Sequence, residues 1–94
     1  MGGGWVQHDE VLSPFNSVVA QMRLGLQWTK DNLGSIASPR VAWQIDPFGS
    51  AKVTPSLFSA FDYEYLVVNR IGDRAKEDLK SARALEFIWE GYSF

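Results

Sequence analysis

The architecture follows most directly from one stretch of the sequence, Val-Ala-Trp-Gln-Ile-Asp-Pro-Phe-Gly at residues 41–49. Its first five residues are mostly apolar and β-prone, a pattern typical of a short buried strand. The strand should end at Asp46, because Pro47 cannot donate to a strand ladder and Gly49 permits a turn. The stretch therefore predicts a carboxylate fixed just beyond the end of a buried strand.

A long amphipathic helix is predicted before this strand. Ser13 and Pro14 are a favourable start, with serine as the N-cap and proline in the first turn. Gly34 provides the terminator, since glycine readily adopts a left-handed conformation at a helix end. Between them, apolar side chains recur at steps of three, four or seven and form one stripe: Phe15, Val18, Val19, Met22, Leu26 and Leu33.

Helices and strands continue to alternate along the rest of the chain. The patterns predict a helix over residues 50–61 and strands over residues 3–7, 65–69 and 85–89. Residues 73–84 are charged and fit either a solvated helix or a loop. This order predicts an α/β fold with a parallel sheet and right-handed crossovers. Four short strands leave a sheet edge unpaired, so we expect a piece of a larger domain that can self-associate through that edge.

Two functional groups follow neighbouring strands of this predicted sheet. Asp46 comes after one strand and Arg70 after the next, and sites in parallel α/β sheets lie beyond the carboxyl ends of strands. Both groups should therefore point at the same rim. A carboxylate held by Pro47, with Phe48 beside it to stack on a sugar or other flat face, fits a nucleophile or a metal ligand. The alternative is that Asp46 only caps its own turn and that Arg70 is an ordinary surface arginine.

Other polar and aromatic motifs predict structure rather than chemistry. His8, Asp9 and Glu10 are consecutive, and neighbours on an extended chain point to opposite faces, so they should not converge on one metal. Zinc needs three or four ligands and His8 is the single histidine, so a hydrogen-bonded or solvated loop residue is expected. The tryptophans are predicted to be core residues rather than ligand platforms: Trp5, Trp28, Trp43 and Trp89.

Composition excludes several classes of function. Nine basic and eleven acidic residues give a formal charge of −2, which offers no general attraction to nucleic acid or to anionic lipid. Cysteine is absent, so there is no disulfide, thiolate metal site or cysteine nucleophile. No apolar run approaches the ~20 residues that a membrane helix needs. Neither nucleic-acid nor membrane partners are expected.

Four stretches of the chain together resemble glycoside hydrolase family 38, the α-mannosidases. They occur in the family's order and with similar spacing: Gly-Gly-Trp-Val-Gln-His-Asp-Glu (3–10), Trp-Gln-Ile-Asp-Pro-Phe-Gly (43–49), Asn-Arg-Ile (69–71) and Leu-Glu-Phe-Ile-Trp (85–89). Two further patterns, Asp-Arg-Ala-Lys (73–76) and Trp-Glu-Gly (89–91), are more similar to the family's lysosomal branch. The resemblance implies a lysosomal enzyme that acts on mannose-containing glycans.

The resemblance also implies roles for individual residues. Asp46 matches the family's catalytic nucleophile, which is also a ligand of the active-site zinc. Phe48 matches an aromatic residue lining the sugar pocket, and Arg70 matches an arginine near the nucleophile and the substrate. The implied reaction is retaining, zinc-dependent hydrolysis of terminal α-D-mannosyl residues. Residues 1–94 would then be a partial N-terminal catalytic domain, a segment of a seven-stranded β/α barrel-like fold with one zinc per complete domain.

Departures from the family pattern limit what this chain should do alone. The family's His-x-Asp zinc motif lies upstream of the matching stretch, and its further histidine ligand and its acid/base carboxylate lie downstream. Ser50-Ala51 also stand where the family usually has His-Ser. We therefore expect the isolated chain neither to bind zinc tightly nor to hydrolyse mannosides. The alternatives are a truncated non-catalytic protein that binds glycan or a full-length homologue, and a small independent α/β domain.

Overall fold

The computed structural model describes residues 1–90, which form three α-helices and a two-stranded parallel sheet. The two strands pair in register, from Val41 opposite Tyr65 to Gln44 opposite Val68. This confirms the predicted α/β class and the parallel pairing. The elements in chain order are α1 (Phe15–Leu33), a 3-10 turn (Ser35–Ala37), β1 (Val41–Gln44), α2 (Thr54–Ala60), β2 (Tyr65–Val68) and α3 (Asp73–Ser81).

The predicted long helix is confirmed as α1, with a different residue at its N-terminus. Pro14, rather than Ser13, occupies the N-cap position, and its carbonyl accepts hydrogen bonds from the backbone N–H groups of Ser17 and Val18. At the other end Gly34 has a φ of +81° and its N–H donates to the Lys30 carbonyl at 3.1 Å. Proline fits the N-cap because the first backbone N–H groups of a helix have no intrahelical partner, so the missing N–H of proline costs no helical hydrogen bond.

The other two helices differ from the predictions in length and in exposure. The second, α2, is shorter than residues 50–61, because the chain makes a turn before Thr54. Pro55 lies in its first turn, where a missing N–H costs no hydrogen bond. The charged segment forms a helix, α3, rather than a loop, and none of the residues in α3 is buried.

The core lies where α1, β1 and α2 meet. Its buried cluster contains Met22, Ala42, Phe58 and Tyr63, with the rings of Phe58 and Tyr63 edge to face and their centres 5.1 Å apart. That ring geometry is favoured by the aromatic quadrupole. The cluster is small, and large apolar side chains remain outside it, with Ile36 at 97% exposure as the extreme.

The strand predicted over residues 3–7 is wrong. This segment has no strand structure and crosses α1 at Gly25, where a Cβ atom would lie 2.3 Å from the carbonyl carbon of Gly4. Its backbone donors are taken by one glutamine of α1: Trp5 N–H bonds to the carbonyl of Gln21, and Val6 N–H bonds to its side-chain oxygen. This segment therefore runs along the surface of α1 and does not pair in the sheet.

The N-terminal segment is also fastened to the start of the sheet. Gly2 N–H donates to the Val41 carbonyl at 2.8 Å, and the Tyr63 hydroxyl donates to the Gly2 carbonyl. Burial raises the pKa of Tyr63 to about 12, so the hydroxyl stays protonated and remains a donor.

The strand predicted over residues 85–89 is wrong as well. These residues form a bend and then have no regular secondary structure, and they do not pair with β1 or β2. Their apolar side chains are exposed, and the rings of Phe87 and Trp89 lie against each other with centres 5.6 Å apart. Alternation and aromatic content indicate a preference for extended backbone, but a strand also needs a partner. Gly91, the last residue of the Trp-Glu-Gly pattern, lies outside the described residues.

Candidate functional site

Asp46 and Arg70 meet at the carboxyl ends of the two parallel strands. Asp46 lies two residues beyond β1 and Arg70 two residues beyond β2. The Arg70 Nε and Nη2 atoms both donate to Asp46 Oδ1, at 3.0 and 2.6 Å. Within residues 1–90, Asp46 Oδ2 accepts no hydrogen bond. One carboxylate oxygen is thus fixed while the other is left available.

Phe48 lies against the same guanidinium group. The central carbon of the Arg70 guanidinium is 4.9 Å from the centre of the Phe48 ring, a cation–π distance. The ring itself is 83% exposed. Arg70 is therefore held by a carboxylate and by an aromatic face, and Phe48 still presents most of its surface to solvent.

These three residues share an open cleft with a volume of about 760 Å³. This lies within the ~300–1,000 Å³ that small-molecule sites usually span. Its other lining residues are mostly polar or aromatic: Gln7, Trp43, Ile45, Gly49, Asn69, Ile71, Asp73 and Lys76. Polar groups beside exposed aromatic faces are suited to sugars, which have polar hydroxyls around a flatter apolar face.

The ion pair in this cleft is too exposed to stabilise the fold appreciably. The side chains of Arg70 and Asp46 are 51% and 71% exposed. Exposed pairs of this kind contribute only about 0–1 kcal/mol to stability, because water screens the charges. The contact therefore matters chiefly for orienting the carboxylate.

Lys76 is a cleft residue that the sequence analysis did not single out. Its ammonium group donates to the backbone carbonyl of Asn69 at 3.0 Å and to the Asn69 side-chain oxygen at 2.9 Å. Through these bonds α3 holds the residue immediately before Arg70. One feature of the sequence indicates this role: Lys76 lies in the first turn of a helix that begins shortly after a strand. The charged composition of the segment favours a solvated helix instead.

The expectation that all four tryptophans are core residues is wrong. Trp5, Trp28 and Trp89 are exposed, because the core is too small to enclose them. Trp43 is half-buried on β1 and its outer part lines the cleft beside Asp46. Trp43 and Ile45 lie two residues apart in the sequence, and both line the cleft.

The side chains of His8, Asp9 and Glu10 diverge, as expected. Asp9 Oδ1 accepts the backbone N–H groups of Val11 and Leu12 at 2.9 and 2.6 Å. Glu10 Oε1 accepts hydrogen bonds from the Thr54 hydroxyl and from the backbone N–H of Ala51, just before α2. His8 is buried among hydrogen-bonding side chains, so the prediction of a hydrogen-bonded loop residue is confirmed.

Two classes of feature are missing from the part of the chain that the structure describes. It contains no group of three or more His, Cys, Asp or Glu side chains placed to hold a metal ion. None of its helices combines the length and apolar character needed to cross a bilayer.

The chain is similar in sequence to members of one glycosyl hydrolase family. Residues 1–93 match the sequence model of the glycosyl hydrolases family 38 N-terminal domain. Alpha-mannosidase E of Dictyostelium discoideum is 46% identical over 95% of this chain, and alpha-mannosidase D of the same organism is 44% identical over 97%. Lysosomal alpha-mannosidase of Cavia porcellus is 40% identical over 93%. The matched regions are 8%, 7% and 9% of those proteins' own lengths, so the chain spans less than a tenth of each.

Proposed function

The chain belongs to glycosyl hydrolase family 38, and on that basis we propose that it forms part of an α-mannosidase active site, cleaving terminal α-D-mannosyl residues from glycans. The relatives named above are alpha-mannosidases. The observation that most supports a catalytic role is the grouping of Asp46, Arg70 and Phe48 in one cleft at the carboxyl ends of two parallel strands.

Asp46 is the proposed nucleophile of a retaining reaction. Its Oδ2 atom would attack the anomeric carbon, forming a glycosyl ester as the bond to the leaving-group oxygen breaks. That oxygen takes a proton from a second carboxyl group, and water then cleaves the ester with the same group acting as base. The fixed Oδ1 and the available Oδ2 suit this division of roles.

Arg70 and Phe48 are proposed to position the reacting groups. Two N–H donors on a single carboxylate oxygen restrict rotation of the Asp46 side chain, which lowers the entropy cost of reaching the attack geometry. The exposed ring of Phe48 offers a face on which the apolar side of a mannosyl ring can pack.

Zinc is not accommodated by the described residues on their own. A zinc site needs at least three protein ligands, and residues 1–90 hold no such group. We propose that Asp46 contributes one carboxylate ligand in the complete protein, with the remaining ligands and the acid/base carboxyl supplied from outside this chain. When bound, zinc would act as a Lewis acid toward sugar hydroxyls.

The larger fold and the location are proposed on the same basis. The two parallel strands would be part of a seven-stranded β/α barrel-like sheet, with further strands added at their free edges. Lysosomal alpha-mannosidases of three mammals are 36–40% identical to the chain, which supports a lysosomal protein.

The direct test is to replace the proposed nucleophile in the protein expressed from its complete coding sequence. Asp46→Asn should lower kcat for an α-mannoside at least about a thousand-fold, because the amide cannot form the ester. Asp62→Asn is the matched control, since Asp62 is exposed and asparagine tolerates its φ of +63°.

The open cleft and the exposed Phe48 also suit a second function, a glycan-binding protein without catalysis. The same experiment distinguishes the two functions. A wild-type protein that binds mannosides but releases no mannose would favour that second function. Turnover that is unaffected by Asp46→Asn would contradict the role of Asp46.

A further inference from the structure

His8 is buried between two glutamine side chains. It is 8% exposed, and its ring stacks on Phe58 of α2 with centres 6.2 Å apart. The amide nitrogen of Gln21 on α1 lies 3.1 Å from His8 Nδ1, and the amide nitrogen of Gln44 on β1 lies 3.4 Å from His8 Nε2. The groups facing the ring from all three elements are therefore neutral. The charges that act on it are Glu10 and Asp9 of its own loop.

The hydrogen bonds determine which ring nitrogen holds the proton. The side-chain oxygen of Gln21 accepts the N–H of Val6 at 3.0 Å, which fixes the orientation of that amide. Its NH₂ group therefore faces His8 Nδ1 and donates to it, so Nδ1 has no proton. The neutral ring must then be protonated on Nε2. The Gln44 amide nitrogen faces that atom at 3.4 Å, so this tautomer requires the Gln44 amide to rotate by 180° and present its oxygen as the acceptor.

A second proton on His8 cannot be accommodated without losing a bond. An N–H at Nδ1 would face the NH₂ group of Gln21, so two donors would oppose each other. If the Gln21 amide rotates to present its oxygen, its NH₂ group faces the N–H of Val6 instead. Either way, one buried donor loses its acceptor, at the cost of an unsatisfied polar group.

The bond at risk fastens the segment that borders the candidate site. Gln21 holds this segment through Trp5 N–H at 3.1 Å as well as through Val6 N–H, and the next residue, Gln7, lines the cleft of Asp46. We propose that the hydrogen-bond chain Val6–Gln21–His8–Gln44 is a pH-sensitive latch. It fixes Val6, and with it the adjacent Gln7, on α1 while His8 is neutral, and it releases Val6 when Nδ1 is protonated.

The direction of the pH dependence follows from the environment of the ring. Burial lowers the pKa of His8 from its ordinary value of 6.5, an effect that Glu10 and Asp9 oppose without cancelling. The released segment exposes the ring, so the released form binds more protons than the latched form below pH 6.5. Latching is therefore complete above this pH and weakens as the pH falls, in the range of acidic compartments.

The test uses NMR on the wild-type chain and needs no enzymatic activity. Imidazole ¹⁵N shifts at pH 7.5 should report the neutral tautomer with the proton on Nε2. Between pH 7.5 and pH 5, protection of the Val6 amide, normalised to intrinsic exchange rates, should decrease, because the released form takes up the proton. The amide of Phe61, which follows α2 and donates to the carbonyl of Leu57, is the internal reference and should keep its protection.

His8→Asn is the matched variant, because asparagine offers a donor and an acceptor but does not titrate in this range. Its Val6 amide protection should be independent of pH between 7.5 and 5. Three results would each overturn the proposal: a neutral tautomer with the proton on Nδ1, unchanged Val6 protection in the wild type, or the same loss in His8→Asn. The first of these is measured on the wild type, so it holds even if the variant does not fold.

Discussion

The two ends of the sheet hold the same type of ion pair in different geometries. Arg40 precedes β1 and pairs with Glu64 before β2, while Asp46 follows β1 and pairs with Arg70 after β2. The first pair uses two guanidinium nitrogens on two carboxylate oxygens, and Arg40 also accepts the N–H groups of residues 64 and 65 through its carbonyl. The second pair uses two nitrogens on a single oxygen.

This difference separates a structural contact from a candidate chemical one. At the amino ends each Glu64 oxygen accepts an N–H of the Arg40 guanidinium, so both oxygens have a partner. At the carboxyl ends one Asp46 oxygen is available, an exposed aromatic ring lies alongside, and the cleft opens in front. The same residue types therefore clamp the strands at one end and orient a potential nucleophile at the other.

The largest expected contrast comes from making the same substitution in both arginines. Arg70→Lys replaces the rigid planar fork of N–H donors that holds Asp46 with a point charge on a flexible side chain, and it weakens the contact with Phe48. A resulting shift of the carboxylate should lower kcat for an α-mannoside about a hundred-fold in the complete protein. Arg40→Lys should change kcat by less than about threefold, because the Arg40–Glu64 pair is exposed and lies at the opposite ends of the strands from the cleft. Equal losses in both variants would mean that Arg70 acts only through stability.

A smaller effect is expected from removing the aromatic face of the cleft. Phe48→Ala should raise KM for a mannoside about fivefold, corresponding to the ~1 kcal/mol that an aromatic contact supplies. Because Phe48 is exposed, the melting temperature should not change measurably. Phe87→Ala, at an exposed position away from the cleft lining, is the control and should leave KM unaltered. A KM that is unchanged in Phe48→Ala would remove this residue from the sugar site.

The smallest effect concerns the pair at the amino ends and its dependence on pH. Hydrogen bonding from Arg40 lowers the pKa of Glu64 from its ordinary value of 4.5. The unfolded chain therefore binds a proton at a higher pH than the folded chain, so the stabilisation is present above pH 4.5 and is lost as the pH falls below it. Wild type and Glu64→Gln should differ slightly in denaturant midpoint at pH 7 and converge in acid. A difference that grows as the pH falls would contradict this sign.

The parts of the fold that local pattern determines could be predicted from the sequence. The amphipathic stripe predicted α1, and the short apolar runs ending at Asp46 and Arg70 predicted β1 and β2 with their shared rim. The strands expected over residues 3–7 and 85–89 were wrong, because side-chain preference does not reveal which element takes the backbone donors. In the first segment, the N–H of Val6 bonds to a glutamine of α1 that lies fifteen residues away in the sequence.

The composition of the site shows the same division. Asp46, Phe48 and Arg70 could be placed in the cleft, since each follows a strand or a turn with a recognisable pattern. Trp43 and Lys76 could not, because their part in the cleft depends on how much core the chain can build and on where α3 lies. The catalytic and binding roles of Asp46, Phe48 and Arg70 stay predictions.

Identifying the residue that forms the covalent intermediate tests the central claim most directly. The complete protein would be treated with a fluorinated mannosyl donor whose glycosyl-enzyme hydrolyses slowly, then digested and analysed by mass spectrometry. A mannosyl ester on the peptide that contains Asp46, missing from Asp46→Asn, is the predicted result. A labelled carboxylate elsewhere, or full turnover by a protein in which Asp46 is never modified, would contradict the assignment.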